Sequence, residues 1–468
     1  MTAFAASCDS STGEAVLARG GLSVIRGLSV IRGLKGEAVS MSEDAPVSGI
    51  SRRTLIRRAA GGTALAAAGP LLAACGSGDE NDSGPSSSSR KAPASAALNG
   101  ALVVSFFNSL NNDYYSSWNL GAKRAVEAFG GKYRFFTNEG DPGRELSQFT
   151  QQVQAGARIV FMTTPDSSNI PQIAQLAERE GVFWTNTWEM PPWASPFTYG
   201  PHYVRYYLPD GVKAAYDVAK ALFMEMGGEG NLVHLTGYPG SLPDSQRTEG
   251  LNRALKENPD IKLLAREIGE WDRDAARKVM AGLVTRYGEQ INGVFGQNDD
   301  VGIGAMNALQ EAGITGVPIT GIDGNEETMR LIKAGRYFAA FTNFPSWQAG
   351  HSAVAAIDAS RGWKPTAPER QMSTGGELIT KDNVDQYLDK FFSGPDPYDW
   401  PLMSRVVHPE DWDPQNEMAP LEMTKLWEGE PKPQDWSLPA PLAEAKASGE
   451  FDEVAALYQT NYKRRALT

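Results

Sequence analysis

From residue 101 onward, short apolar runs alternate with stretches in which apolar residues recur every three or four positions. This alternation limits the folds open to the chain more than any other feature. Residues 101–107 read as a buried strand, and Trp118, Ala122, Ala125, Val126 and Phe129 follow at helical spacing. Residues 158–163 are strand-like, 170–180 helical and 182–187 strand-like again. A second series has strand-like runs at 232–236, 261–268, 293–295 and 318–322, and helical ones at 246–256, 274–287 and 302–312. Strand–helix alternation at this spacing predicts parallel sheets covered by helices, and two such series predict two lobes.

In an open parallel sheet the ligand crevice lies beyond the carboxyl ends of the strands. The residues found there are amides, carboxylates and aromatics. Asn111-Asn112-Asp113-Tyr114-Tyr115 follows the first strand, and Asn186-Thr187-Trp188-Glu189 closes a later one. Asn298-Asp299-Asp300, Asp323-Gly324 and Asn343-Phe344-Pro345 occupy the same position after three strands of the second series and its continuation.

The amino-terminal region reads as an export address. Arg52-Arg53 follows Ser51 and precedes an alanine-rich apolar stretch, residues 59–74, which is too short for a transmembrane helix of about 20 residues. The paired arginines resemble a twin-arginine signal, and Leu72-Ala73-Ala74-Cys75 resembles a lipobox in which Cys75 becomes the acylated first residue. Gly-Leu-Ser-Val-Ile-Arg occurs twice within residues 21–32, and translation is expected to start at Met41. Residues 76–97, rich in Ser, Gly, Asp and Pro, lack the apolar area to order themselves and are expected to act as a flexible tether.

Charge and residue counts narrow the chemistry. The net charge is −12, and because residues 1–74 carry 8 basic and 5 acidic side chains, their removal takes it to −15. No basic run longer than three residues occurs after residue 58, so nucleic acid is not an expected partner. His202, His234, His351 and His408 are far apart, and Cys8 and Cys75 are the two cysteines, so no metal-ligand spacing exists. No metal and no cofactor are expected. There is no Gly-x-Ser-x-Gly, His-Glu-x-x-His or phosphate-loop motif, and Asp299-Asp300 alone does not make a glycosidase pair, so the expectation is a binding protein, not an enzyme.

Taken in order, Leu110-Asn111-Asn112-Asp113-Tyr114-Tyr115, Arg247-Thr248-Glu249-Gly250-Leu251, Trp271-Asp272-Arg273, residues 297–305 (Gln-Asn-Asp-Asp-Val-Gly-Ile-Gly-Ala), Gly321-Ile322-Asp323-Gly324 and Thr342-Asn343-Phe344-Pro345 resemble the type I periplasmic substrate-binding proteins of ABC importers, in the ribose- and galactose-binding branch. The resemblance spans about residues 100–390. It implies two doubly wound parallel-sheet lobes joined by a three-segment hinge near 203–204, 343–344 and 375–378. The amino-terminal lobe would comprise 98–203 and 344–377, the carboxy-terminal lobe 204–343 and 378–390. Residues 391–468, with Trp400, Trp412, Trp427 and Trp436, form an extension expected to wrap a lobe.

The resemblance also implies ligand-facing positions, which here are Asn112, Tyr114, Tyr115, Arg247, Asn298, Asp323 and Asn343. Trp271 stands where phenylalanine is common and supplies a broader stacking surface, and Trp188 joins the candidates. Ribose-type relatives carry Asp-Arg where this chain reads Asn186-Thr187-Trp188-Glu189, and Asn343 stands where glutamine is frequent, so the ligand is not held to be ribose.

The residue types suit a sugar, whose apolar ring faces need aromatics and whose hydroxyl rim needs planar polar groups: Arg247 offers a fork of donors and Asp323 an acceptor for adjacent hydroxyls. The sequence leaves Glu189 open between a ligand role and a structural one and reads Asp299 as structural. Asp323 and Asn298 also fit turn roles, and Trp188, close to Trp184 and Trp193, also fits a core role. The expectation is a lipid-anchored, extracytoplasmic monomer that passes a monosaccharide or polyol to an ABC permease. A sensor of the same fold and an exported carbohydrate-active enzyme are the competing readings.

Overall fold

The computed structural model describes residues 97–464 and Leu467; Arg52, Arg53, Cys75 and the expected tether up to residue 96 lie outside them. Among the described residues no helix is long and apolar enough to cross a membrane.

The first lobe is built from Leu102–Phe107 (β1), Asp113–Ala128 (α1), Lys132–Thr137 (β2), Pro142–Gln154 (α2), Ile159–Thr163 (β3), Ile170–Glu180 (α3), Phe183–Thr187 (β4), Pro196–Tyr199 (α4) and Tyr203–Pro209 (β5). Helix α1 starts where the Asn112 side chain accepts the Tyr114 N–H, and α2 starts at Asp141, which accepts from Gly143 and Arg144, with Pro142 in the first turn. The apolar stripe of α1 predicted from the sequence is buried at Trp118, Ala122, Ala125 and Val126.

The second lobe runs through Gly211–Glu225 (α5), Gly230–Thr236 (β6), Leu242–Glu257 (α6), Ile261–Ile268 (β7), Arg273–Tyr287 (α7), Gly293–Gly296 (β8), Asp299–Glu311 (α8), Ile319–Asp323 (β9), Glu326–Lys333 (α9) and Ala339–Thr342 (β10). The chain then re-enters the first lobe as Pro345–Ser360 (α10), which packs on α1, β3 and β4, and as Gln371–Thr374 (β11). Glu377–Ile379 (β12) and Val384–Leu388 (α11) belong again to the second lobe, with β12 paired to β10 and α11 packed on α9. Met418–Pro420 (β13), Ala440–Ser448 (α12) and Glu450–Asn461 (α13) form the extension.

The first sheet has the order β13-β11-β5-β4-β3-β1-β2 and the second β12-β10-β9-β8-β6-β7. Both interiors are parallel, as the alternation predicts, and each sheet has one antiparallel edge strand: β13 against β11 and β12 against β10. The first crossing corrects the boundary expected at 203–204. Strand β5 pairs with β4 on one side and β11 on the other, so the chain leaves the first lobe only at Asp210, which caps α5. The next crossings fall between β10 and α10 and at Gly375-Gly376. A further passage, where the carboxy-terminal extension begins, returns the chain to the first lobe near Gly394, and Asp396 meets Arg124 of α1.

The extension packs on the first lobe through its aromatics and through a buried polar cluster. The Trp400 ring occupies the space where a Gly350 side chain would lie, and Trp347 Nε1 donates to the Pro414 carbonyl at 2.6 Å. Arg205, 1% exposed in the middle of β5, donates to the Glu369 carbonyl at 2.6 Å and to the Tyr458 hydroxyl at 2.8 Å, while Arg405 pairs with the Glu369 carboxylate at 2.7 Å. A buried guanidinium is tolerated only when its donors are filled, and the extension fills one of them.

Two buried carboxyls of this lobe give its stability a pH signature. Burial pushes Glu145, bonded by Asn138 and Asn169, up to about 8, and pushes Asp358, bonded by Ser404 and the Arg405 N–H, up to about 7. Both hold their protons more tightly folded than unfolded. Their contribution to stability is therefore full below the ordinary carboxylate range near pH 4 and is lost as pH climbs toward about 8. Calorimetric melting should show Glu145→Gln gaining on the parent protein as the pH is raised from about 5.5 to about 8, and a difference in Tm independent of pH would contradict this.

Candidate functional site

The carboxyl ends of both sheets face one cleft of about 710 Å³ between the lobes. The first lobe contributes the turns after β1, β2, β3 and β4, and the second those after β6, β7, β8 and β9. Asn112, Tyr114, Tyr115, Trp188, Arg247, Trp271, Asn298 and Asp323 all line it. Asn343 does not. It is 1% exposed, lies between β10 and α10, and its Nδ2 has no partner among the described residues.

Arg247 stands at the centre. It projects from the second turn of α6 and is 4% exposed. Its Nη1 donates to the Gln297 carbonyl at 2.6 Å, and its Nη2 lies 3.8 Å from Asp323 Oδ1, an ion pair too long for a direct hydrogen bond. Nε has no partner among the described residues. The guanidinium carbon is 5.3 Å from the Trp188 ring centroid and 5.1 Å from that of Trp271, so aromatics of both lobes close on the cation. Burial lowers the Arg247 pKa and raises that of Asp323 well above the carboxylate range, each effect partly offset by the other's charge. Unfilled donors beside an acceptor at this spacing leave room for a hydroxyl to bridge them.

The two tryptophans sit on backbone that side chains seldom adopt. Trp188 has φ 73° and is fixed by its N–H to the Tyr207 carbonyl (3.1 Å), by Tyr206 Oη donating to its own carbonyl (2.6 Å), and by its Nε1 donating to Tyr114 Oη (2.7 Å). Tyr114 Oη in turn donates to Gln348 Oε1. Glu270 and Trp271 have φ 58° and 54°, and the indole of Trp271 lies over Gly237, where a Cβ would come within 1.9 Å of the ring. Strain of order 1–3 kcal/mol per residue persists where surrounding contacts over-determine it, and here it aims both rings at the cleft.

The two asparagines have double duty. Asn112 caps α1, and Asn298 caps α8 by accepting the Val301 N–H at 2.9 Å, which leaves their amide nitrogens for a ligand. Asp299 has the structural role read from the sequence: its Oδ2 accepts the N–H groups of Gly324 (3.0 Å) and Asn325 (2.8 Å), shaping the turn that presents Asp323. Glu189 also lines the cleft. Burial raises its carboxyl to about 8, and Oε2 accepts the Leu242 N–H at 3.4 Å across the lobes, at the start of α6.

Sequence reasoning missed Gln348, whose link to Tyr114 spans 234 residues and carries no local signal. It also missed Glu139, Asp274 and Glu327, which join Asp113 and Asp300 at the rim, five carboxylates against the two cleft arginines, Arg247 and Arg273. Among the described residues no cluster of His, Cys, Asp and Glu is placed to hold a metal.

Comparison with known proteins places this geometry. A family model described as periplasmic binding protein domain matches residues 103–364. The chain is 38% identical over 183 residues to the xylitol-binding protein of Mycolicibacterium smegmatis, covering 39% of this chain and 51% of that protein, so it spans about half of that relative's length. It is 26% identical over 259 residues to the ribose import binding protein RbsB of Salmonella typhimurium, covering 55% of this chain and 83% of that one. A twin-arginine translocation pathway signal protein from Burkholderia phytofirmans is similar in structure at a TM-score of 0.61, with 29% identity, 64% of this chain and 95% of that chain covered. The Caulobacter myo-inositol binding protein, at 21% identity, shares the fold with a TM-score of 0.55 over 64% of this chain and 97% of its own. Two parallel-sheet lobes around a polar and aromatic cleft, with more than half of the chain matched by the family model, make this chain a member of the periplasmic binding protein family, with the two-lobed type I fold.

Proposed function

We propose that the protein is an extracytoplasmic, lipid-anchored receptor that traps a neutral sugar or polyol between its lobes and delivers it to an ABC importer. The observation that carries this reading is the convergence of eight dispersed polar and aromatic residues on one interlobe cleft. The family supports a location outside the cytoplasm, and the Arg52-Arg53 and Cys75 signals support export and acylation. The higher identity to a xylitol-binding relative than to a ribose-binding one, together with the absence of the Asp-Arg pair, favours a polyol. The acid-rich rim repels sugar acids and sugar phosphates.

A bound polyol hydroxyl would bridge Arg247 and Asp323, the amides of Asn112 and Asn298 would donate to others, and Trp188 and Trp271 would cover the carbon chain. Micromolar affinity requires about 8 kcal/mol net, within reach of a few desolvated bonds and two aromatic contacts. Specificity would follow from the cost of leaving buried donors unpaired when a hydroxyl is missing.

Calorimetric titration with pentitols, hexitols, inositols, pentoses and hexoses should give at least one neutral ligand at micromolar Kd, and no binding across the panel would overturn the reading. Loss of a charge-assisted bond worth about 2 kcal/mol should make Arg247→Ala weaken that ligand about 30-fold; unchanged affinity would remove Arg247 from the site. Gly237→Ala should displace the Trp271 ring and weaken binding about tenfold, and in the Trp271→Ala background the same change should cost nothing further. Additive losses would show that Gly237 acts elsewhere.

A further inference from the structure

The extension is fixed to the first lobe on both sides of a segment that reaches the second. Before that segment, β13 pairs with β11, Met372 opposite Pro420. After it, α13 places Tyr458 on Arg205. Between them, residues 425–430 lie along α6 of the second lobe. Glu428 Oε1 is 3.2 Å from Arg253 Nη2, Ser245 Oγ donates to Glu430 Oε1 at 2.5 Å, and Gln246 Nε2 donates to the Lys425 carbonyl at 3.4 Å. Lys425 Nζ is 2.6 Å from Asp210 Oδ2, at the first crossing between lobes. Gly429, with φ 86°, passes so close that a Cβ there would lie 2.9 Å from the Ser245 carbonyl oxygen.

Ser245, Glu249 and Arg253 recur every four residues and form one stripe of α6, whereas Arg247 lies two residues on, about 200° around the helix. The segment therefore holds the back of the helix whose front carries Arg247. The guanidinium on that front lies 5.3 Å from the ring of Trp188 in the opposite lobe.

We infer that residues 425–430 are positioning residues for ligand capture: anchored to the first lobe, they clasp α6, restrict how far the lobes open and preset Arg247 against Trp188. This rests on the reading that Arg247 faces the ligand. The ion pairs are partly exposed and individually weak, but together with the bonds of Ser245 and the buried Gln246 they reduce the ordering that binding would otherwise require.

The test compares the full chain with the variant Lys425→Ala/Glu428→Arg/Glu430→Ala and with the same variant carrying Arg253→Glu, which restores an ion pair of reversed polarity. Without ligand, small-angle scattering should show a larger radius of gyration for the triple variant, and the added Arg253→Glu should bring it back toward the parent. With xylitol as probe, Kd should rise about tenfold in the triple variant and partly recover in the rescued one. An unchanged radius of gyration and Kd, or a loss that the reversed pair does not rescue, would overturn the clasp. If the parent itself does not bind xylitol, the choice of ligand fails, and the ligand-free scattering still decides on the clasp.

Discussion

A guanidinium removed from water must find its partners inside the protein, and the desolvation of Arg247 organises the whole cleft. Its position demands an acceptor, which Gln297 supplies from the end of β8, and a counter-charge, which Asp323 supplies from the end of β9. It also favours aromatic faces, which Trp188 and Trp271 supply at about equal distances from opposite lobes. What remains unfilled, Nε and the 3.8 Å gap to Asp323, is the part of the site that the proposed ligand's hydroxyls would complete. On the proposed function, the energetics tie recognition to closure: the charge would be fully compensated with the lobes together and a ligand between them.

The sheets of both lobes were readable in the sequence because strands buried on both faces appear as apolar runs, as at β1 and β3. Edge strand β2, Lys132–Thr137, escaped because it is half exposed and mixes charged with aromatic residues. The crossing near 203–204 was carried over from the resemblance; what keeps β5 in the first sheet, its pairing with β11 and the contact of its Arg205 with Tyr458, 253 residues away, depends on distant segments. Site residues directly after strands could be found from the general position of ligand crevices in parallel sheets. Asn343 met the same criterion, yet the chain turns sharply through Phe344 (φ 52°) as it enters α10, and the asparagine remains behind the cleft wall. Gln348 and the clasp on α6 depend on contacts between distant segments, for which periodicity carries no information.

The extension changes what the two lobes are to each other. In a two-lobed receptor the relative motion of the lobes is set by short crossing segments, and small interfaces leave such motion free. Here a fourth passage near Gly394 returns the chain to the first lobe, β13 enlarges its sheet, and the following segment touches the second lobe along the outer side of the helix that bears the central arginine. The polar cluster of Arg205, Glu369, Arg405 and Tyr458 explains why such an appendage stays in place: its removal would strand a buried charge.

The most direct measurement of the central claim is a crystal structure of the protein grown with xylitol. The account predicts electron density for the polyol between the lobes, with hydroxyls within hydrogen-bond reach of both Arg247 and Asp323 and its carbon chain against Trp271. A polyol bound elsewhere on the molecule, or bound in the cleft with Arg247 making no contact to it, would contradict the account.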